Sequence, residues 1–300
     1  MKRFLLKITK YAVVYGLVLT CGLIGFHKSE VVREYLSRSY YMGYLNTLRQ
    51  VKSKANEQKI LFLGGSNLGF GLNSERIENT LNVSTFNLGV QAGFGLKRSI
   101  EDVQSFIGPK DIIILSPEYS NIEDPYRYDM DKHYLDFLKI GLNAVVDFET
   151  FVAYLSFLQI SLKGIALDPQ RKNGYNLGWF NSNGDVIGHH DKKPKPISVL
   201  YEGYLDLSGA ETRKFIDSLL IDKNYFFIPP VTNEHRFTTV ELNKINKDFK
   251  KAFTNHYPIN VFDMVYESDC FYDTAYHLNI SCKEDRTNKI LAFLKTVISK

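Results

Sequence analysis

The chain reads as an α/β domain on a parallel sheet, preceded by one N-terminal membrane-spanning helix, and three features predict this. Short apolar runs recur at Ile60–Leu63, Thr85–Leu88, Asp111–Leu115 and Tyr225–Ile228, and each ends at glycine or proline. Segments with helical periodicity separate them. Runs that are apolar throughout, rather than alternating, belong to strands covered on both faces. The third feature is the N-terminus, where Lys2, Arg3, Lys7 and Lys10 precede an uncharged stretch from Tyr11 to Phe26.

That stretch is shorter than the roughly 20 residues that cross a hydrocarbon core. Adding Phe4-Leu5-Leu6, with Lys7 and Lys10 reaching back to the headgroups, makes residues 1–28 long enough to span. The basic flank places the N-terminus inside and the remaining domain outside, a single-pass inner (plasma) membrane protein with a periplasmic body. A cleaved signal peptide and a buried core helix are the competing readings, but no small-x-small cleavage site follows the run. Val18-Leu19-Thr20 before Cys21 fits a lipoprotein signal poorly.

Residues 29–56 are charged and helix-forming, a juxtamembrane stalk leading into a domain at 57–300. Its first strand, Ile60–Leu63, ends at Gly64-Gly65, and Ser74 resembles the cap of a helix to about Leu81. The second strand runs into Gly89-Val-Gln-Ala-Gly93-Phe-Gly95, followed by a helix over about Lys97–Phe106. A third strand stops at Ser116-Pro117. The segment from about 124 to 222 breaks this rhythm, with an aromatic-rich helical stretch at about Tyr134–Leu162 and then a Gly/Asn/Lys-rich part, and reads as an insertion or lid. The rhythm resumes with Tyr225–Ile228, a helix at about Thr238–His256, a short strand at Asn260–Phe262 and a last helix at about Lys283–Ile298.

Bulk composition excludes little beyond nucleic acid. Of 300 residues, 37 are Lys or Arg and 33 Asp or Glu, so the net charge is +4 with the basic residues scattered. Nucleic-acid binding has no footprint in that pattern. If the body is exported, Cys270 and Cys282 lie in an oxidising compartment and can pair; two separate buried thiols are the equal alternative.

In open parallel sheets ligands bind beyond the carboxyl ends of the strands. Ser66, Gly89–Gly95, Glu118, Pro229-Pro230 and the Asp273–His277 segment all fall there. Ser66 is a candidate nucleophile, His277 its base, and Asp273 the acid that orients the imidazole, with Asp269 a competing acid. The other reading makes Ser66 a turn residue and Asp273 a helix cap. His189 and His190, near Asp185 and Asp191, form no spaced ligand set for a metal, and Gly64, Gly65, Gly69 and Gly71 lack the Gly-Lys-Ser/Thr or G-x-G-x-x-G of a phosphate loop. No cofactor is expected.

Gly64-Gly65-Ser66-Asn67, then Asn87-Leu88-Gly89, then Asp273…His277 before the last helix resembles the SGNH (GDSL-type) hydrolase superfamily. The likeness is strongest to its membrane-anchored branch near cell-envelope polysaccharide and teichoic-acid acylation systems, and it covers about residues 57–123 and 223–299. The resemblance implies a flavodoxin-like three-layer α/β/α fold and a Ser66–His277–Asp273 triad. The Ser66 N–H and that of Gly93 or Gly89 would serve the oxyanion.

Three positions depart from the family. Gly-Gly-Ser-Asn replaces Gly-Asp-Ser, and three residues rather than two separate acid from histidine. The third block reads Ser116-Pro117-Glu118-Tyr119-Ser120-Asn121 where the family has an asparagine donor. Asn121 or Asn67 is the substitute, since an ionised Glu118 cannot donate. The expected activity is therefore a serine esterase or O-acyltransferase acting on acyl esters of an envelope glycan, a related polymer or a small ester, with an envelope-assembly protein as a possible partner. The alternative is a degenerate member that binds glycan or scaffolds an assembly.

Overall fold

The computed structural model describes residues 2–126, 131–193 and 209–298. The parts of the 124–222 segment at 127–130 and 194–208 lie outside the described residues. The chain forms two compact units, one made of 1–42 with 133–176 and the other of 43–132 with 177–300.

The first unit is helical. It contains α1 (Lys2–Lys28), α2 (Glu30–Ser37), and, after the excursion into the other unit, α8 (Asp131–Ile140) and α9 (Phe148–Leu167). Ser29, extended at φ −62° and ψ 141°, separates α1 from α2 and its hydroxyl accepts the Val32 N–H. Asp147 and Thr150 form a reciprocal cap at the start of α9. Such a cap satisfies otherwise orphaned N–H groups and breaks the expected single Tyr134–Leu162 stretch into two helices.

The second unit begins with α3 (Tyr41–Ser53) and carries the α/β domain. Its elements are β1 (Lys59–Gly64), α4 (Ser66–Gly71), α5 (Ser74–Leu81), β2 (Ser84–Asn87), α6 (Gly95–Gln104), β3 (Ile112–Ser116) and α7 (Tyr119–Glu123). After residue 177 come α10 (Ala210–Leu219), β4 (Tyr225–Phe227), β5 (Thr232–Asn233), α11 (Thr239–Phe253), β6 (Val265–Tyr266) and α12 (Ile280–Ile298). Four strands form one parallel sheet in the order β2-β1-β3-β4, with Ile60 opposite Thr85 and Ile112. β5 and β6 make a separate parallel pair.

Every residue of β1 and of β3 is buried, which accounts for the unbroken apolar runs in the sequence. Ile60, Phe62, Ile112 and Ile114 pack on Ile77 of α5 and Ile290, Leu291 and Leu294 of α12. The alternate residues Leu61, Leu63, Ile113 and Leu115 are equally buried, and α6 packs on β1. The helices therefore cover the sheet in a way compatible with three layers. At the amino ends of β1 and β3, Lys59 and Asp111 form a wholly buried ion pair at 2.6 Å.

The structure corrects three local expectations. Asn73, not Ser74, caps α5, its side chain accepting the Arg76 N–H. Residues 260–262 are not a strand. The Asn260 side chain accepts from Phe262 and Asp263 N–H and folds Val261–Met264 into a 3₁₀ turn, with β6 starting only at Val265. The last helix starts at Ile280, three residues earlier than the sequence suggested.

Candidate active site

The strand order opens a crevice. From β1 the chain moves to β2 on one side and then crosses to β3 on the other, so the loops after β1 and β3 diverge at their carboxyl ends. Ser66 follows β1 and Glu118 follows β3, and their strands are aligned with Gly64 opposite Ser116. Two glycines permit this closeness. A Cβ on Gly64 would lie 2.2 Å from the Ser116 carbonyl oxygen, and one on Gly65 would lie 2.5 Å from Glu118 Oε1. Gly65 has φ −91°, so the requirement is for space rather than for an unusual backbone.

Ser66 is the first residue of α4 and is partly exposed. Its hydroxyl donates to Glu118 Oε1 at 2.9 Å, and the Asn67 N–H donates to the same oxygen at 3.3 Å. Glu118 is only 6% exposed. Burial pushes its carboxyl above the usual range, against the opposing pull of the Ser66 hydrogen bond and of the His277, Asn67 and Arg236 groups nearby. Arg236 lies over the rings of Tyr276 and Tyr119.

The acid and the histidine sit on a closed loop rather than on a helix. Phe271 and Leu278 form an antiparallel bridge, Tyr272 N–H donates to the His277 carbonyl, and Asn279 N–H to that of Cys270. A Cys270–Cys282 disulfide clamps the ends. Within the loop His277 Nδ1 lies 2.7 Å from Asp273 Oδ1, and both side chains are largely buried. An ionised carboxylate only accepts hydrogen bonds, so in this pair His277 Nδ1 is the donor. The His277 ring stacks on Phe70 with centroids 3.7 Å apart and planes 7° from parallel. Phe70 is four residues after Ser66 in α4 and shares its helix face, about 6 Å along the axis. The competing acid, Asp269, instead receives the Asn279 side chain on its carbonyl.

Beneath the site lies a buried polar network whose centre, Arg286, the sequence analysis did not single out. Arg286, fully buried on α12, donates to the Asn67 carbonyl, to Asn67 Oδ1 at 2.9 Å and to Ser116 Oγ at 3.1 Å. Burial lowers its guanidinium to about 10. The signal for it was available: Arg286 falls within the buried stripe of Lys283, Thr287, Ile290 and Leu294. Asp185 accepts from Ser74 N–H and Oγ–H and from the side chains of Asn87 and Asn181, tying the segment after residue 177 to α5 and β2. His189 belongs to the same segment. Its Nε2 lies 2.9 Å from the Leu278 carbonyl, and burial lowers the ring to about 3, so it is neutral.

The named candidates thus separate into groups. Ser66, Glu118 and the Asn67 N–H meet at one point, Asp273 pairs with His277, and the His277 charge acts on Glu118, with Phe70 of the serine helix stacked on the imidazole. The Asn67 side-chain amide turns inward and donates to the Ser116 carbonyl, so it is not an oxyanion donor. The Gly89 N–H is held by Asn87 Oδ1 at 3.0 Å. Gly93 is buried in the 3₁₀ turn Ala92–Phe94. Asn121 lies in α7, its N–H on the Glu118 carbonyl. Among the described residues no group of three His, Cys, Asp or Glu side chains could hold a metal ion.

Comparison with protein-family models finds no match, and comparisons with curated proteins and with solved structures find none either.

Proposed function

We propose that the chain is an SGNH-like serine esterase or O-acyltransferase, with a flavodoxin-like three-layer domain held by α1 as a single-pass anchor on the outer side of the plasma membrane. One observation carries the reading. The Asp273–His277 pair is fixed at 2.7 Å, with the imidazole flat on Phe70, one helical turn from Ser66. An acid that orients an imidazole, the imidazole as base and a hydroxyl at a strand end are the parts of covalent acyl transfer.

In this mechanism the Ser66 hydroxyl turns from Glu118 toward His277, which takes its proton as Oγ attacks the acyl carbonyl. The oxyanion receives the Ser66 and Gly93 N–H groups. Glu118, raised toward its neutral form by burial, supplies a hydrogen bond in place of the family's asparagine. His277 returns the proton to the leaving alkoxide, and the acyl group on Ser66 passes to water or to a sugar hydroxyl of an envelope glycan. No cofactor enters.

The test is hydrolysis of 4-nitrophenyl acetate by the full chain in detergent. Activity lost in Ser66→Ala and His277→Ala supports the proposal. A folded wild type with no more turnover than either variant contradicts it. The Ser66–Glu118 hydrogen bond favours a second reading, a non-catalytic glycan binder in which that bond is permanent. Glycan binding unchanged in Ser66→Ala, without turnover, would decide for it.

A further inference from the structure

Helix α9 has no polar face. Thr150 to Leu162 contains no charged residue, and α9 is long and apolar enough to cross a membrane, with a mean hydropathy of 1.5. Half of its circumference is accounted for. Ala153, Tyr154, Phe157 and Leu158 pack with Val32, Tyr35 and Leu36 of α2 and with Phe137 of α8.

The opposite half is exposed and largely apolar, with Glu149 and Lys163 charged near its two ends. Phe148, Val152, Leu155 and Leu162 follow one another at helical spacing and are 81%, 44%, 39% and 52% exposed. Ile160 and Leu167 flank them, and Gln159 is the one polar residue inside the stripe. Soluble surface helices present a polar face to water, and an exposed apolar stripe of this length marks a contact surface.

What covers the stripe follows from its neighbours. Phe26, near the end of α1, packs against the same cluster that α9 completes, so α9 is fixed where the anchor ends. α2 exposes the charged Glu30, Arg33 and Glu34, with Val31 among them, whereas the α9 stripe is apolar. The uncharged run of α1 ends beside this cluster. A helix packed along one side on α2 and α8 cannot be sheathed in lipid, but it can lie in the interface with its exposed face among acyl chains.

We infer that α9 is a second, monotopic membrane contact, its Phe148–Val152–Leu155–Leu162 stripe seated about 5–10 Å into the boundary between headgroups and acyl chains of a lipid bilayer. This rests on the anchor reading of α1. Lys163, at the C-terminal end of the stripe, has a stem long enough to bring its ammonium to the headgroups. The contact would hold the first unit down at a second point, rather than leaving it on a single helix.

The test uses the full chain reconstituted in phosphatidylcholine vesicles, kept oxidised so that Cys270 and Cys282 stay paired. Cys21 is a free, exposed cysteine in α1 and carries an environment-sensitive fluorophore as the anchor reporter. In a Cys21→Ser background, Leu155→Cys reports α9, Val152→Cys duplicates it, and Glu34→Cys reports the charged side. The expected result is a blue-shifted signal at 21, 152 and 155 that nitroxide-labelled lipid quenches several-fold, with position 34 unquenched. Quenching at 21 alone overturns the α9 contact and leaves the anchor standing. No quenching at any position overturns the anchor, and the inference with it. Shielding at 155 that lipid does not quench, with cross-linking between copies, would assign the stripe to a dimer instead.

Discussion

Replacing Glu118 with Gln separates the proposed chemistry from mere packing. The carboxyl is buried and Oε1 accepts from both the Ser66 hydroxyl and the Asn67 N–H. Gln keeps that acceptor, occupies the same volume and carries a permanent donor on Nε2. In the wild type the folded Glu118 carboxyl is raised above the unfolded value, so its neutral form is present at low pH and is lost as pH rises through the folded pKa. Above that point an anion beside Ser66 withdraws the donor and retains the hydroxyl. The wild type should therefore lose kcat on an alkaline limb, while Glu118→Gln should stay flat there and match the wild-type plateau within about tenfold. Glu118→Ala removes the donor at every pH and should cost about 10²–10³ in kcat, the loss seen when one oxyanion donor is deleted. The same linkage predicts stability. Each unit of elevation costs the ionised folded state about 1.4 kcal/mol, so Glu118→Gln should melt higher than wild type at pH 8 and equally at pH 4. The assay is a kcat–pH profile beside thermal melts at both pH values. Identical profiles for wild type and Glu118→Gln, with Glu118→Ala fully active, would refute the reasoning.

Asp273→Asn keeps the shape of the pair but turns a donor toward His277 Nδ1, which favours the wrong tautomer. Turnover of 4-nitrophenyl acetate should fall about 10⁴-fold with little change in melting. Removing the Cys270–Cys282 clamp with the double Cys→Ser variant should lower unfolding free energy by about 3 kcal/mol in urea titrations. It should also reduce kcat, because the loop it closes carries both Asp273 and His277. Gly65→Ala drives a Cβ into the Glu118 carboxyl, a side chain that can yield, and should give a folded protein with impaired kcat. Gly64→Ala meets the Ser116 carbonyl of β3 and should be destabilised by more than about 1–3 kcal/mol, read from its urea midpoint.

The sheet was legible because its physics is local: β1 and β3 are buried on both faces, and only uninterrupted apolar residues satisfy that. The Asn260–Phe262 run looked the same, but one side chain capping two N–H groups turned it into a 3₁₀ segment. Asp273 and His277 were legible as residue types. The bridged and disulfide-closed loop that brings them together was not. Glu118 stood out in the sequence only as a departure. Its bond to Ser66 depends on the β1–β3 register and on Gly65, which no local pattern contains. Asp185 reaches Asn87 across 98 residues, a contact that exists only in the folded chain. Arg286 was readable in principle, as a charge on the buried stripe of α12.

The central claim is that Ser66 is a nucleophile activated by His277. Its most direct test is peptide mapping by mass spectrometry of the full chain after treatment with a fluorophosphonate. The account predicts one adduct, on Ser66, absent from Ser66→Ala and strongly diminished in His277→Ala. A folded wild type that takes up no adduct, or takes it up on another residue and equally in His277→Ala, would contradict it.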